Sequence, residues 1–543
     1  MAAAAAAAGK DVVKEILGQI PFTVELYWLL RQRGKAINSH FSLRHLQEAL
    51  PEMVLEAEEL RKTAPIGKNI FIFATLHYWI DHAALIGLAL AAQGHTVTLG
   101  YLAQSDWQKP ISRFDLRRQD LYARKVLSLA EPVMHSISFV SGKIPFAPVS
   151  EEIQRLVQQV SEFDTQYTLQ VEEFDHKHEV YQLRKARNEE AALAAYSYLK
   201  ENKPDVVIVP NGTIQELGVV YRVARALKIP AVTYEFGDQR QRIWIAQDSE
   251  VMRQDTDGLW RARQNIPLQD DQLERLRSML MARKHGALWE NFARQWQGTP
   301  SQGGETARKA LGLDERPVVL LATNVLGDSL TLGRHLFSKS MGEWITRTVQ
   351  YFAGRPDVQL VIRVHPGEIL TNGTSMMKVV HEVFPKLPEH IRLIGPTEKV
   401  NTYDLIEVAD VGLVYTTTVG LEMAMFGVPV IVAAQTHYRN KGFTLDPESW
   451  VTYYKTLGQV LLNLPSYRLN RQQVEKAWQY AYRWFFEFPL PFPWHLLRLW
   501  DDYKTHSLAS VVGPERSGEF DDTLLYLTGE PIMWTPTEEV LEI

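Results

Sequence analysis

Residues 409–434 read Ala-Asp-Val-Gly-Leu-Val-Tyr-Thr-Thr-Thr-Val-Gly-Leu-Glu-Met-Ala-Met-Phe-Gly-Val-Pro-Val-Ile-Val-Ala-Ala. The apolar run 411–415 predicts a buried strand. A hydroxyl-rich turn, Thr416, Thr417 and Thr418, follows it, and Leu421, Met423, Ala424 and Met425 fit a short amphipathic helix. Gly427 stops that helix and Pro429 opens a second strand over 430–434. A polar turn between a parallel strand and a helix is suited to an anion, because free N–H groups and the positive helix end point there. Three threonines could also simply cap a helix.

A second stretch favours the ligand reading. Residues 358–368, Val-Gln-Leu-Val-Ile-Arg-Val-His-Pro-Gly-Glu, predict a buried strand ending in Arg363, His365 and Glu368. Two strands of one sheet would then deliver polar groups at their carboxyl ends, where open α/β sheets bind ligands.

Outward from these strands, the chain alternates strands and helices in two blocks. The first block has strands at 69–74, 95–99, 204–210 and 229–235. Polar loops follow them, carrying His77, Asp81 and His82, then Asn211-Gly212-Thr213, then Glu235 and Asp238. Residues 105–200 and 250–295 read as mostly helical. The Gly-rich connection 297–306 leads to the second block. That block opens with a strand at 317–323 followed by Asn324 and Asp328, and continues through a helix at 337–352. It also carries a strand at 391–394 and helices at 404–408, 450–462 and 468–488. The expected division is 1–65 helical, 66–300 an acceptor-binding Rossmann-like domain, 301–470 a donor-binding one, and 471–543 a tail crossing back.

Composition sets the class. The chain has 543 residues, 45% of them hydrophobic and 22% charged, as in ordinary globular proteins. Net charge is −6 with no long basic stripe, which argues against nucleic acid as a partner. With no cysteine, disulfides, zinc–thiolate sites and thiol nucleophiles are excluded, and a reducing compartment fits. The alanine-rich start lacks the basic flank of a signal peptide, and no apolar run is long enough to span a bilayer. A cytoplasmic protein is expected, with peripheral contact on the inner face of the membrane as an option. The aromatic stretch from Trp484 to Trp500 would either pack across the two blocks or lie on a membrane; its lack of a basic face favours packing.

Four segments in order carry a family resemblance: Arg363-Val364-His365-Pro366-Gly367-Glu368, Thr416-Thr417-Thr418-Val419-Gly420-Leu421-Glu422, Gly427-Val428-Pro429-Val430-Ile431 and Tyr438-Arg439-Asn440-Lys441-Gly442-Phe443-Thr444. Over residues 315–460 the chain resembles the capsule polysaccharide biosynthesis family, which includes transferases of 3-deoxy-manno-octulosonic acid (Kdo). The two-block layout is similar to the GT-B architecture, with two Rossmann-like domains facing a central cleft.

The resemblance implies a glycosyltransferase moving a sugar from a nucleotide-sugar donor to a glycan or glycolipid acceptor. It puts His365 and Thr416–Thr418 on the donor phosphate and nucleotide, Glu422 on the ribose, and Arg363 or Lys441 beside the phosphate charge. Glu368, Gly420 and Asn324 complete the expected donor-binding set. A general base would come from Glu235, Asp238, His77 or Asp81. The pair Asp255 and Asp257 follows no strand, so neither a metal nor another cofactor is expected. A non-hydrolysing UDP-sugar 2-epimerase and a CDP-glycerol or CDP-ribitol phosphotransferase share the same build and remain alternatives.

Overall fold

The computed structural model describes residues 12–32, 41–140, 150–289, 292, 298–371 and 373–534. The alanine-rich start, part of the 297–306 connection and the last nine residues lie outside them. The chain is a two-sheet α/β protein.

The first sheet holds β1 (Asn69–Thr75), β2 (Thr96–Leu102), β3 (Met134–Ser138), β4 (Val206–Pro210), β5 (Ala231–Glu235) and β6 (Arg242–Gln247). The second holds β7 (Val318–Ala322), β8 (Gln359–Arg363), β9 (Ile391–Ile394), β10 (Val411–Val414) and β11 (Val430–Val432). A last strand, β12 (Leu490–Pro491), returns to the first sheet. The strand orders are β12-β6-β5-β4-β1-β2-β3 and β11-β10-β7-β8-β9.

Stripped of β6 and β12, which pair antiparallel at one edge, the two sheets have one topology. Each is parallel, and each reverses its strand order beside its first strand: between β1 and β4, and between β7 and β10. Loops leaving these strands diverge to opposite faces, which opens a crevice at the carboxyl ends.

Continuous Val, Ile and Leu runs form these strands because helices cover both faces. The period-two alternation is clear in β7. Val318 and Leu320 face one core with Trp260, Leu276 and Tyr480. Val319 and Leu321 face the other with Trp344 and Tyr453. The segment read as one helix over 250–295 is three pieces, Val251–Arg253, Asp257–Arg263 and Asp270–Lys284. Pro267 interrupts the last two, since it removes an N–H and crowds the preceding turn. The last two pack on the core of the second sheet, whereas Val251–Arg253 packs against β5 and β6 of the first. The stretch 105–200 also holds β3, a half-exposed edge strand whose polar alternation hid it in a helical context.

The aromatic stretch is buried. Trp484, Phe485, Phe486 and Phe488 join the second sheet's core, and Phe492 and Trp494 join the first sheet's. Between them β12 pairs with β6, so the stretch crosses from one sheet to the other. Two polar clamps add to it. Glu172 accepts from the N–H groups of Met341 (2.6 Å) and Gly342 (2.7 Å), and Arg334 donates to the carbonyls of Met252 and Arg253.

Candidate functional site

A cleft of about 560 Å³ lies between the sheets, at the carboxyl ends of their strands. Seven residues expected from the sequence line it: Glu235, Asp238, Asn324, His365, Thr416, Thr417 and Thr418.

Asn324 follows β7 and the threonine turn follows β10, the two strands flanking the switch point. The Asn324 Oδ1 accepts the Thr416 N–H at 3.2 Å and ties the two loops together. Gly420 sits behind the turn. A Cβ there would stand 2.4 Å from the Tyr438 hydroxyl, which donates to the Thr417 carbonyl at 2.6 Å. The glycine is thus needed for close packing that fixes the turn, and it does not reach the cleft. The helix Val419–Met425 has only seven residues, so its dipole is small and the hydroxyls are the principal donors. The Thr416 Oγ1 is buried and has no hydrogen-bond partner among the described residues.

His365 follows β8 and opens the 3₁₀ turn Pro366–Leu370. Its Nδ1 accepts the Gly367 N–H at 3.0 Å, which puts the proton of a neutral ring on Nε2. Its own N–H donates to the Thr323 Oγ1 at 3.1 Å, so the corner is held from both sides.

Glu235 ends β5 on the opposite wall. Its Oε2 accepts from the Asn211 Nδ2 and its Oε1 from the Phe236 N–H, each at 3.0 Å. Desolvation raises its pKa above the ordinary glutamate value, and those two donors oppose the shift without cancelling it. A carboxylate with a raised pKa in a cleft is suited to general-base work. Tyr167 lines the cleft nearby and packs on Trp107, with ring centroids 5.5 Å apart.

Lining residues not singled out from the sequence include His437, Arg334 and Arg283. His437 stacks on Trp484 with ring centroids 3.7 Å apart. Its Nδ1 lies 3.0 Å from the Tyr480 hydroxyl, while its buried Nε2 has no hydrogen-bond partner among the described residues. Burial, with Arg334 and Lys441 nearby, holds its pKa well below the usual value, so the ring is neutral. Arg334 is buried, and its pKa falls to about 10, so it stays charged at pH 7. Arg283 lines the floor, with its guanidinium 4.6 Å from the centroid of the Phe485 ring. With Arg242 and Arg253 the lining holds four arginines, of which Arg283 is paired with Glu422, against Glu235, Asp238 and Asp328.

Seven expected residues lie elsewhere, each for a visible reason. Arg363 turns to the carbonyls of Gly395 (2.7 Å) and Val400 (3.3 Å) and holds that turn. Glu368 accepts from the Ser375 hydroxyl and the Met376 N–H and caps the helix Met376–Val383. Glu422 is buried, paired with Arg283 at 2.7 Å and accepting the Tyr403 hydroxyl at 2.9 Å, so it is no ribose ligand in this arrangement. Lys441 pairs with Asp257. Gly420 is the packing glycine described above. His77 begins the helix His77–Ala92 and meets Phe41 edge-on. Asp81 lies deep in that helix. Burial raises its pKa well above the carboxylate range, which keeps it protonated and unfit as a base near neutrality. Among the described residues no cluster of three or more His, Asp or Glu could hold a metal ion.

The fold and cleft together define a class: two Rossmann-like domains facing a site made by both. No protein-family model and no curated protein matches the chain. Solved structures do. The chain is similar to the KpsC β-Kdo 2,4 transferase of Thermosulfurimonas dismutans, at 17% identity over 51% of this chain and 78% of that one, with TM-score 0.34. It is similar to the KpsC β-Kdo 2,7 transferase of the same organism at 15% identity, covering 52% and 79%, with TM-score 0.30. The UDP-GlcNAc 2-epimerase of Neisseria meningitidis bound to UDP-GlcNAc also matches, at 15% identity over 78% and 99%, with TM-score 0.24.

Proposed function

We propose that the protein is a metal-independent glycosyltransferase that takes its sugar from a nucleotide-sugar donor and gives it to a hydroxyl of a glycan or glycolipid. One observation carries this reading. A carboxylate with a raised pKa, Glu235, shares one cleft with an opposing wall of neutral donors, Thr416–Thr418 and His365.

In this reading the donor phosphate lies against the threonine turn and the histidine corner. Glu235 takes the proton of the acceptor hydroxyl, whose oxygen attacks the anomeric carbon from the opposite side. The bond from that carbon to the phosphate oxygen breaks. Its charge is received by the Thr416 Oγ1–H, the His365 Nε2–H and the field of the buried arginines. Preorganised donors in a partly dry site stabilise such charge more than water does, because they need not reorient. In this reading the attack inverts the anomeric carbon.

The test is transfer and donor hydrolysis with a panel of UDP-, GDP- and CMP-sugars. Release of one nucleotide with inverted product, lost in Glu235→Gln, supports the reading. Silence across the panel with no nucleotide binding ends it. Conversion of a free UDP-sugar to its 2-epimer without acceptor, seen by NMR, would make the protein an epimerase instead.

A further inference from the structure

The helical segment 12–32 carries a face that nothing among the described residues covers. Among the described residues, ten of the twenty-six large apolar residues that stand exposed fall within it. Phe22 is 79% exposed, and Leu29 and Leu30 about two thirds. Surface apolar residues are ordinarily scattered, so such density marks a contact surface.

The segment is nonetheless firmly placed. Val24 and Trp28 are buried beneath it, and Tyr27 meets Phe114 edge-on. Lys14 pairs with Asp115 at 2.8 Å. Arg117 donates to the carbonyls of Gly18 and Ile20 and pairs with Glu25. The apolar side chains are therefore held outward by contacts on the other face.

Charge selects the occupant. Arg31 stands exposed at the segment's end, and Lys109, Arg113, Arg124 and Lys125 stand exposed on the helix Arg113–Leu127 beneath it or just before it. An apolar face with cations beside it, and the exposed Tyr27 ring at its edge, matches a lipid–water boundary with anionic headgroups. Position agrees. The helix Arg113–Leu127 starts just past the carboxyl end of β2, so the segment sits at the end of the first sheet on which the cleft opens.

We propose that segment 12–32 seats the protein on an anionic bilayer surface, with Phe22, Leu29 and Leu30 entering the headgroup layer. The transferase reading is not needed for this, and the test reads no turnover. The full chain is floated with phosphatidylcholine vesicles containing or lacking phosphatidylglycerol. Wild type should float with the anionic vesicles, less so at high salt. Leu29→Asp/Leu30→Asp should lose at least tenfold in apparent affinity, with an unchanged melting temperature. Leu462→Asp, an exposed apolar site elsewhere, should bind as wild type does. Absence of wild-type binding, full binding by the double variant, or a solution dimer that this variant disperses would overturn the proposal, the last by assigning the face to a second copy. Vesicle binding by a chain that binds no nucleotide sugar would sink the transferase reading alone.

Discussion

Glu235 is the residue on which the chemistry turns. Its raised pKa places the acid limb of kcat/KM above the ordinary glutamate value of 4.5. Activity should rise through that limb as the base ionises. Glu235→Gln should lower kcat by about 10²–10⁴-fold. The stability consequence has the opposite sign. A carboxyl whose folded pKa is raised holds its proton longer in the native state, so folding stability falls as pH rises past the unfolded value. Glu235→Gln should therefore melt no lower than wild type at neutral pH, and a lower melting temperature would mean that the carboxylate is structural. Thr416 makes a parallel case. Its buried hydroxyl makes no hydrogen bond among the described residues. Thr416→Val should leave the melting temperature equal or higher, while losing about 3–10-fold in kcat/KM, the worth of one hydrogen bond of roughly 0.5–1.5 kcal/mol.

At the scale of elements, Arg283 fastens the helix Asp270–Lys284 to the second sheet through Glu422. Removing one partner of a buried ion pair strands the other charge. Arg283→Met should cost about 3–5 kcal/mol in chemical denaturation, and Arg283→Met/Glu422→Leu should recover part of it. A single variant without effect would mean that the pair is not buried in solution.

The same elements explain what could be read in the sequence. Glu235 ends a strand of clear apolar run, Asn324, His365 and the threonine turn each follow one, and parallel sheets gather strand ends into one place. That pattern needs no long-range information. The roles assigned to Arg363, Glu368, Glu422 and Lys441 depended on partners far away in the chain: the carbonyls of Gly395 and Val400, the helix begun by Met376, Arg283 and Asp257. Nothing local marks those pairings. His437 and Arg334 were missed because they sit in loops without periodicity, and their meaning appears only when Trp484 and the carbonyls of residues 252–253 are brought to them.

At the scale of the molecule, the two sheets are joined by the aromatic stretch and by the Glu172 and Arg334 clamps, so ligand binding in the cleft is coupled to the fold of both. A nucleotide bound at a hundred times its dissociation constant should stabilise the native state by about 2.7 kcal/mol, seen as a raised melting temperature. The most direct test of the site is a crystal structure of the protein soaked with the nucleotide or nucleotide sugar that raises melting most. The account predicts phosphate oxygens within hydrogen-bond distance of the Thr416 Oγ1 and the His365 Nε2, with the sugar toward Glu235. A nucleotide seated outside the cleft, or inside it with its phosphates against neither group, would contradict it.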